Sequence, residues 1–468
     1  MFRSSHRILA LLVMVILTGC ESYKPQPLSP ETTAQELENR SLQAPELKNF
    51  LETNRPHEIT NWPLESWNLE NLMLAAFYFN PSLDVARAQW QIVKAEKISA
   101  GARPNPTVGI SPEYNFNAAS GISPWIYGAT FDLPIETAGK RGYRIAQSKQ
   151  LSASAKWNIA VAAATVRNNL RANLVEFVSS DARIKLLLRQ KDIQSKIAEA
   201  FENELTAGAI SPFEVATARI SFAKTQLEMG DAEKQFAESR ARLAEAIGIP
   251  ASALAKVKFD FDLQRPTQNN LSESEIRSAA LQNRPDILSA LFEYAAKESA
   301  LQLEIAKQYP DVHLGTGYHF DQGENKWSLG ISSELPILNR NEGGIAEAKA
   351  RRAETAARFV ALQARVIGEI DRAVAIHRSA MKQMEITESL IAVQEKQHRT
   401  LQTQLDAGGI GRREMWNADL ELAVAQLQKL DAVTKLQQAI GELENALQRP
   451  LTTIDFSKSP RAENGNEP

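Results

Sequence analysis

A single cysteine in 468 residues leaves no intramolecular disulfide and excludes the cysteine-rich zinc and iron–sulfur sites. Charge of one sign is missing too. With 53 Lys+Arg against 56 Asp+Glu the net charge is −3, without the basic excess that counterion release on nucleic acid requires, so no nucleic-acid partner is expected. Long apolar runs are absent beyond the first 20 residues. Nothing downstream reaches the roughly 18 residues that a transmembrane helix needs, so any membrane crossing must be by β-strands. The chain also lacks a Walker A loop, a Rossmann glycine-rich turn, a His-Glu-x-x-His helix and a Gly-x-Ser-x-Gly elbow. No enzyme, catalytic residue, cofactor or resident metal is therefore expected. What the chain does hold, 43% hydrophobic and 23% charged residues, rules out a disordered or collagen-like polymer.

The one cysteine stands in a telling context. Arg3, His6 and Arg7 lead into the apolar residues 8–17, too few to span roughly 30 Å of hydrocarbon as a helix, and residues 1–19 read as a signal peptide. Leu17-Thr18-Gly19-Cys20 resembles the lipobox of bacterial lipoproteins, in which the cysteine is acylated and becomes the mature N-terminus. Glu21 follows where an Asp would imply retention at the inner membrane, so the resemblance implies an outer-membrane anchor at Cys20. Residues 20–63 carry Pro25, Pro27, Pro30, Pro45, Pro56 and Pro63 and read as an extended tether with little helix of its own, lying against the body.

The rest is written twice. Asn80-Pro81 aligns with Arg284-Pro285, and Pro106-Thr107-Val108 with Pro310-Asp311-Val312, at a shift of 204. Leu133-Pro134-Ile135 returns as Leu335-Pro336-Ile337 at 202, and Leu205-Thr206-Ala207-Gly208 as Leu405-Asp406-Ala407-Gly408 at 200. The period is too long for a solenoid unit and fits an internal duplication. It divides the chain into a first repeat (64–250), a linker or equatorial segment (251–270), a second repeat (271–450) and a tail (451–468). Each repeat reads as helix, two strands, very long helix, tight turn and returning helix. Between Tyr143 and Ala207 there is neither Gly nor Pro, and about 65 helical residues reach roughly 100 Å. Alanine is dense there (Ala153, Ala155, Ala160, Ala162 to Ala164), which allows close helix packing. A coiled wall of helices is implied.

Strands are predicted at 106–116 and 124–134, and again at 310–320 and 326–336. Val108, Ile110, Tyr114 and Phe116 alternate with Gly109, Ser111, Glu113 and Asn115, and the other three segments alternate alike. Such alternation marks a bilayer-spanning barrel strand, and the competing reading is a half-buried soluble hairpin. Four strands close no barrel, and a membrane tolerates no open edge, so chains must share one sheet. Two copies give eight strands with a filled interior, whereas three give twelve with room for a lumen, so transport favours a homotrimer.

The lipobox, the duplicated helix–hairpin–long helix–turn–helix unit and the Ala-Gly turns together resemble TolC-type outer-membrane efflux factors, across essentially the whole mature chain. The resemblance implies a mainly α fold with a small β part: a trimeric twelve-stranded outer-membrane barrel continuous with a periplasmic α-helical tunnel. It also implies docking of the tunnel tip to a periplasmic adaptor (membrane fusion protein) and an inner-membrane RND pump, with export that involves no chemistry in the channel. Leu133 to Arg141, at a strand-to-helix junction, is similar to channels serving heavy-metal pumps of the cobalt–zinc–cadmium class, as is the tether beginning Tyr23-Lys24-Pro25. Heavy-metal cations are thus the implied cargo. Multidrug export is the alternative, and a periplasmic coiled-coil spacer lipoprotein would leave the strands unexplained.

By the same resemblance, Gly208, Ile210, Gly408 and Ile410 form adaptor-contacting tips, although glycine there also serves the positive φ of a helix C-cap. Arg412, Arg413, Glu414 and Asn417 fall at the closed periplasmic gate. A threefold ring of Glu414 carboxylates would favour cations, and the competing role for Glu414 is helix-dipole stabilisation. Asn417 is an amide where the family carries an acid. His313 and His319 share the polar side of one strand, six residues or roughly 20 Å apart, too far to chelate one ion. They are lumen polar residues or weak cargo contacts. Met381 and Met384 read as packing residues.

Overall fold

A computed structural model describes residues 21–55, 59, 61–264 and 272–451. The leader 1–19, the anchor Cys20 and residues 452–468 of the tail lie outside the described residues. Proline begins five of the described helices. Pro30, Pro45, Pro81, Pro212 and Pro285 each occupy the first turn of a helix, where the missing N–H has no intrahelical partner to lose. This corrects the reading of residues 20–63 as an extended tether. The segment holds α1 (Pro30–Glu38) and α2 (Pro45–Asn54), and Leu42, Leu47 and Leu51 from it are fully buried. Arg40 pins the segment down by donating from Nη1 to the carbonyls of Phe79 and Gly248 at 2.7 and 3.0 Å.

The first repeat runs through α3 (Leu69–Phe79), α4 (Pro81–Gly101), β2 (Thr107–Tyr114), β3 (Trp125–Ile135), α5 (Lys140–Thr206) and α6 (Pro212–Ile247). The second repeats the order with α7 (Glu273–Asn283), α8 (Pro285–Ala306), β5 (Val312–Asp321), β6 (Glu324–Ser333), α9 (Glu342–Asp406) and α10 (Arg412–Leu447). Each repeat therefore has two helices before its strands, broken at the aligned Asn80-Pro81 and Arg284-Pro285. Both break residues capture the end of the returning helix. Asn80 Nδ2 donates to the Ala246 carbonyl at 3.0 Å, and Arg284 Nη1 to the Ala446 carbonyl at 2.7 Å.

The core sits at the waist, where short helices surround the long ones. Leu170 and Leu174 of α5 meet Leu243 and Ile247 of α6, Leu72 of α3 and Leu83 of α4. A second cluster joins Val366 and Ile370 of α9 to Ile440, Leu443 and Leu447 of α10 and Ile287 of α8. Each such side chain contributes about 1.5–3 kcal/mol by leaving water. The segment 251–264, expected as a linker, is an ordered strap. Its β4 (Phe259–Asp260) pairs in parallel with β1 (Trp67–Asn68), and Leu263 packs on Val175 and Val433.

The larger sheet is antiparallel throughout, in the order β2-β3-β5-β6. Its register sets Val108 beside Phe131, Leu133 beside Leu314, and Leu314 beside Ile331, so one face is a continuous apolar field. The other carries Gly109, Thr130, His313, His319, Ser328 and Ser332. Among the described residues the sheet is not closed within one chain, and β2 and β6 are its free edges. No helix among the described residues is long and apolar enough to cross a membrane.

Candidate functional site: junction, tips and sheet face

At the β3–α5 junction the chain must turn from strand to helix within four residues. Ala138 and Gly139 do so at φ 53° and 72°, a left-handed pair that only neighbouring contacts can hold for the alanine. Those contacts come from the second repeat. Thr137 N–H and Lys140 Nζ both donate to Asp311 Oδ1, at 2.9 and 2.7 Å, and Thr137 Oγ1 donates to the Pro310 carbonyl at 2.6 Å. Burial works against the Asp311 carboxylate, yet Lys140 and the Thr137 N–H outweigh it and hold its pKa below the ordinary value. Arg144 grips Glu136 with two nitrogens, and this hydrogen bonding holds the Glu136 pKa below its ordinary value. Arg141 Nε reaches the Gly101 carbonyl at 2.7 Å. The motif from Leu133 to Arg141 is thus occupied in holding the junction.

At the far end of the long helices both turns close alike. Gly208 and Gly408 sit at φ 73°, and the N–H groups at 208 and 209 bond back to Leu205 and Glu204, those at 408 and 409 to Leu405 and Gln404. This is the double C-cap that satisfies orphan helix carbonyls. Both glycines are exposed, with open space where a Cβ would project, while Ile210 and Ile410 are half-buried.

Beyond the turns the tips diverge. Ser211 and Glu214 form a reciprocal capping box at the start of α6, which lowers the Glu214 pKa through the Ser211 N–H and hydroxyl. The equivalent cap on α10 is Gly411, and the Glu414 side chain makes no hydrogen bond among the described residues. Glu414 and Asn417 lie exposed, three residues apart on one helix face. Arg413 turns away from that face. It pairs with Glu204 and, at 3.6 Å, with Glu214, and its guanidinium lies 4.5 Å from the Phe201 ring centre, tying the second tip to the first. Arg412 is exposed and lines a groove of about 440 Å³ with Lys196, Asn203, Trp416 and Asp419.

The family pattern described as outer membrane efflux protein matches residues 76–249 and 276–448, the two repeats in turn. The chain belongs to the outer membrane efflux protein family. Among curated relatives, the cobalt-zinc-cadmium resistance protein CzcC of Cupriavidus metallidurans is 28% identical over 225 residues, 46% of this chain and 51% of CzcC. The pyoverdine export outer membrane protein OpmQ of Pseudomonas putida is 25% identical over 304 residues, 59% of this chain and 63% of OpmQ. The chain thus spans about half to two thirds of the length of these relatives. The solved structure of CusC has the same fold, with a TM-score of 0.66 at 15% identity, covering 92% of this chain and 99% of that one.

On the polar sheet face of this efflux-family chain, His313 Nδ1 lies 2.9 Å from Asp132 Oδ2, while His319 stands opposite Gly128 and Lys326. The two histidines are not brought together, and no group of three or more His, Cys, Asp or Glu able to hold a metal occurs among the described residues. Met384 packs on the waist core as expected, whereas Met381 is half-exposed beside His377. Sequence reasoning missed the waist ion cluster, in which buried Arg167 and Arg171 of α5 approach Glu444 of α10 at 3.9 and 3.5 Å. It also missed the Asp311 clamp. Its only local signal was an aspartate beside the aligned Pro310.

Proposed function

We propose that three copies of this chain form an outer-membrane efflux channel, anchored through an acylated Cys20, that carries heavy-metal cations delivered by a periplasmic adaptor and an inner-membrane RND pump. The observation that carries the channel reading is a four-stranded sheet with one apolar face and two free edges, set at the end of paired helices about 100 Å long. Four strands cannot close around a lumen, and twelve can. The polar face then lines the passage, bringing His313 and His319 into it as weak contacts that let a cation pass.

The tips at Gly208, Ile210, Gly408 and Ile410 serve as the adaptor's docking points. Glu414 is the gate residue, flanked by Asn417 and Arg412. What supports this is its freedom: the capping task that occupies Glu214 is not asked of Glu414. Arg413 acts as a latch between the two tips of one protomer. The anchor predicts that Cys20→Ala leaves assembly intact and weakens membrane fractionation, and unchanged lipid labelling would remove it.

Metal cargo is supported by the likeness to CzcC. The junction motif adds little, since its charged residues are spent on structural pairs. The likeness to OpmQ supports a second reading, export of an organic compound. A susceptibility panel on a deletion strain separates them. Sensitivity confined to zinc, cadmium, cobalt, nickel, copper or silver is the expected result; sensitivity to dyes, detergents or antibiotics instead would overturn the metal reading.

A further inference from the structure

Met381 reads from the sequence as a packing residue, yet the structure leaves its side chain 46% exposed. It stands four residues after His377 on α9, so the two side chains share one helix face with Cβ atoms roughly 5–6 Å apart. Both line a cavity of about 250 Å³ at the waist, where α7 packs on α9 and α10. Ile276, Val374 and Leu443 form its apolar wall.

Packing does not require this pair. Val366 and Ile370 of the waist core match Val166 and Leu170 at a shift of 200, which sets His377 against Phe177 and Met381 against Asp181. Phe177 fills its place with apolar contact, 5.1 Å from the ring centres of both Phe236 and Phe259. His377 does not. Its half-buried imidazole has no hydrogen-bond or ion-pair partner among the described residues. Burial also holds its pKa below the ordinary value, in the neutral form that carries a free lone pair.

The carboxylate at the cavity, Glu273, is paired with Arg378 at 3.6 Å. With that charge spent, the free donors are an imidazole nitrogen and a thioether sulfur. Such a set suits soft ions, whereas calcium and magnesium require several oxygens and zinc a fuller shell. We propose that His377 and Met381 bind a soft monovalent cation of the Cu(I) and Ag(I) class at the waist. The unbranched Met381 side chain is free to swing its sulfur towards the imidazole, and the apolar wall limits access of water to the bound ion. No cluster of His, Cys, Asp or Glu able to hold a metal surrounds the pair among the described residues, so harder divalent ions find too few donors there. The site uses neither the polar sheet face nor the tips, and its occupancy does not depend on the channel reading.

The test uses the full-length protein in detergent and chloride-free buffer, isotope-labelled at the methionine methyl groups, with silver nitrate as the probe. Met381→Leu identifies the Met381 methyl signal, and His377→Phe installs the residue of the first repeat. Silver retained per chain after dialysis should fall by about one ion in either variant; Cys20 and the remaining methionines are common to all chains and cancel in the difference. In the parent protein silver should shift the Met381 signal, the shift should vanish in His377→Phe, and zinc at the same concentration should leave the signal in place. Should His377→Phe fail to match the parent in gel filtration, His377→Gln takes its place. A Met381 signal indifferent to silver, or one that shifts equally without His377, would overturn the site, and a shift with zinc would overturn its selectivity for soft ions.

Discussion

The two repeats share a scaffold and differ where it ends. Their waists are built alike, with the residue before an aligned proline reaching the last turn of the returning helix. In the first repeat that residue is Asn80 and in the second Arg284. At the tips, a capped Ser211 start answers an uncapped Gly411 start, and the exposed Phe213 answers Arg413, which is folded onto its neighbour. At the junctions, a clamped Lys140 answers Glu342. Duplication fixed the architecture, and divergence falls both where one repeat meets the other, at Lys140 and Arg413, and inside the repeats, at Asn80 and Arg284.

Substitutions at matched positions test this asymmetry. The largest effect is expected at the waist. Buried Arg284 holds Asp286 at 2.6 Å, Glu369 at 2.9 Å and the Ala446 carbonyl. Arg284→Ala should cost about 3 kcal/mol or more, because it strands these partners, against about 1 kcal/mol for Asn80→Ala; urea denaturation midpoints check both. Next are the residues that follow the returning helices. Gly248 has φ 90°, and a Cβ there would lie 2.7 Å from the Phe79 carbonyl oxygen, whereas Gln448 occupies the equivalent left-handed position at φ 51°. Gly248→Ala should lose at least about 1–2 kcal/mol, and Gln448→Gly should gain up to about 1 kcal/mol. A destabilised Gln448→Gly would show that its side chain offsets the strain.

A smaller effect is expected at the junction. Asp311→Asn should cost under about 1 kcal/mol at neutral pH, since the carboxylate is partly exposed. The pH dependence has a definite sign. A carboxyl with a depressed folded pKa stabilises above its unfolded value near 4 and loses that contribution as pH falls through the folded value. The wild-type chain should therefore lose more stability than Asp311→Asn as the pH falls below about 4, and parallel profiles would remove the clamp. The smallest effects on stability belong to the tips. Glu214→Gln should reduce amide protection at the start of α6. Glu414→Gln should leave protection at α10 unchanged and lower cation preference in bilayer recordings; an unaltered reversal potential would remove the gate.

The long helices and the strands were legible because both depend on local pattern: stretches of 67 and 65 residues without proline, and alternation over about ten. The N-terminal segment was misread because proline has two meanings. Pro30 and Pro45 look like breakers in a proline-rich stretch, yet each is preceded by a residue in extended conformation and followed by good helix formers, the pattern of a helix start. The Asp311 clamp and the Arg413 bridge were invisible because their partners are 171 and 209 residues away. At the tips, the positions of the residues were legible, whereas the orientation of Arg413 away from Glu414 was not.

The uninterrupted helices also act as a ruler. With α6 and α10 each 36 residues long, both hairpins count the same distance from waist to tip. The reach of the tips is thus written as a residue number, at about 1.5 Å per residue. A seven-residue insertion in one long helix would displace its tip by about 10 Å relative to the other. To move the tips together, the same length must be added in four places at once, so the gap between the sheet and whatever the tips meet is among the least adjustable dimensions of the molecule.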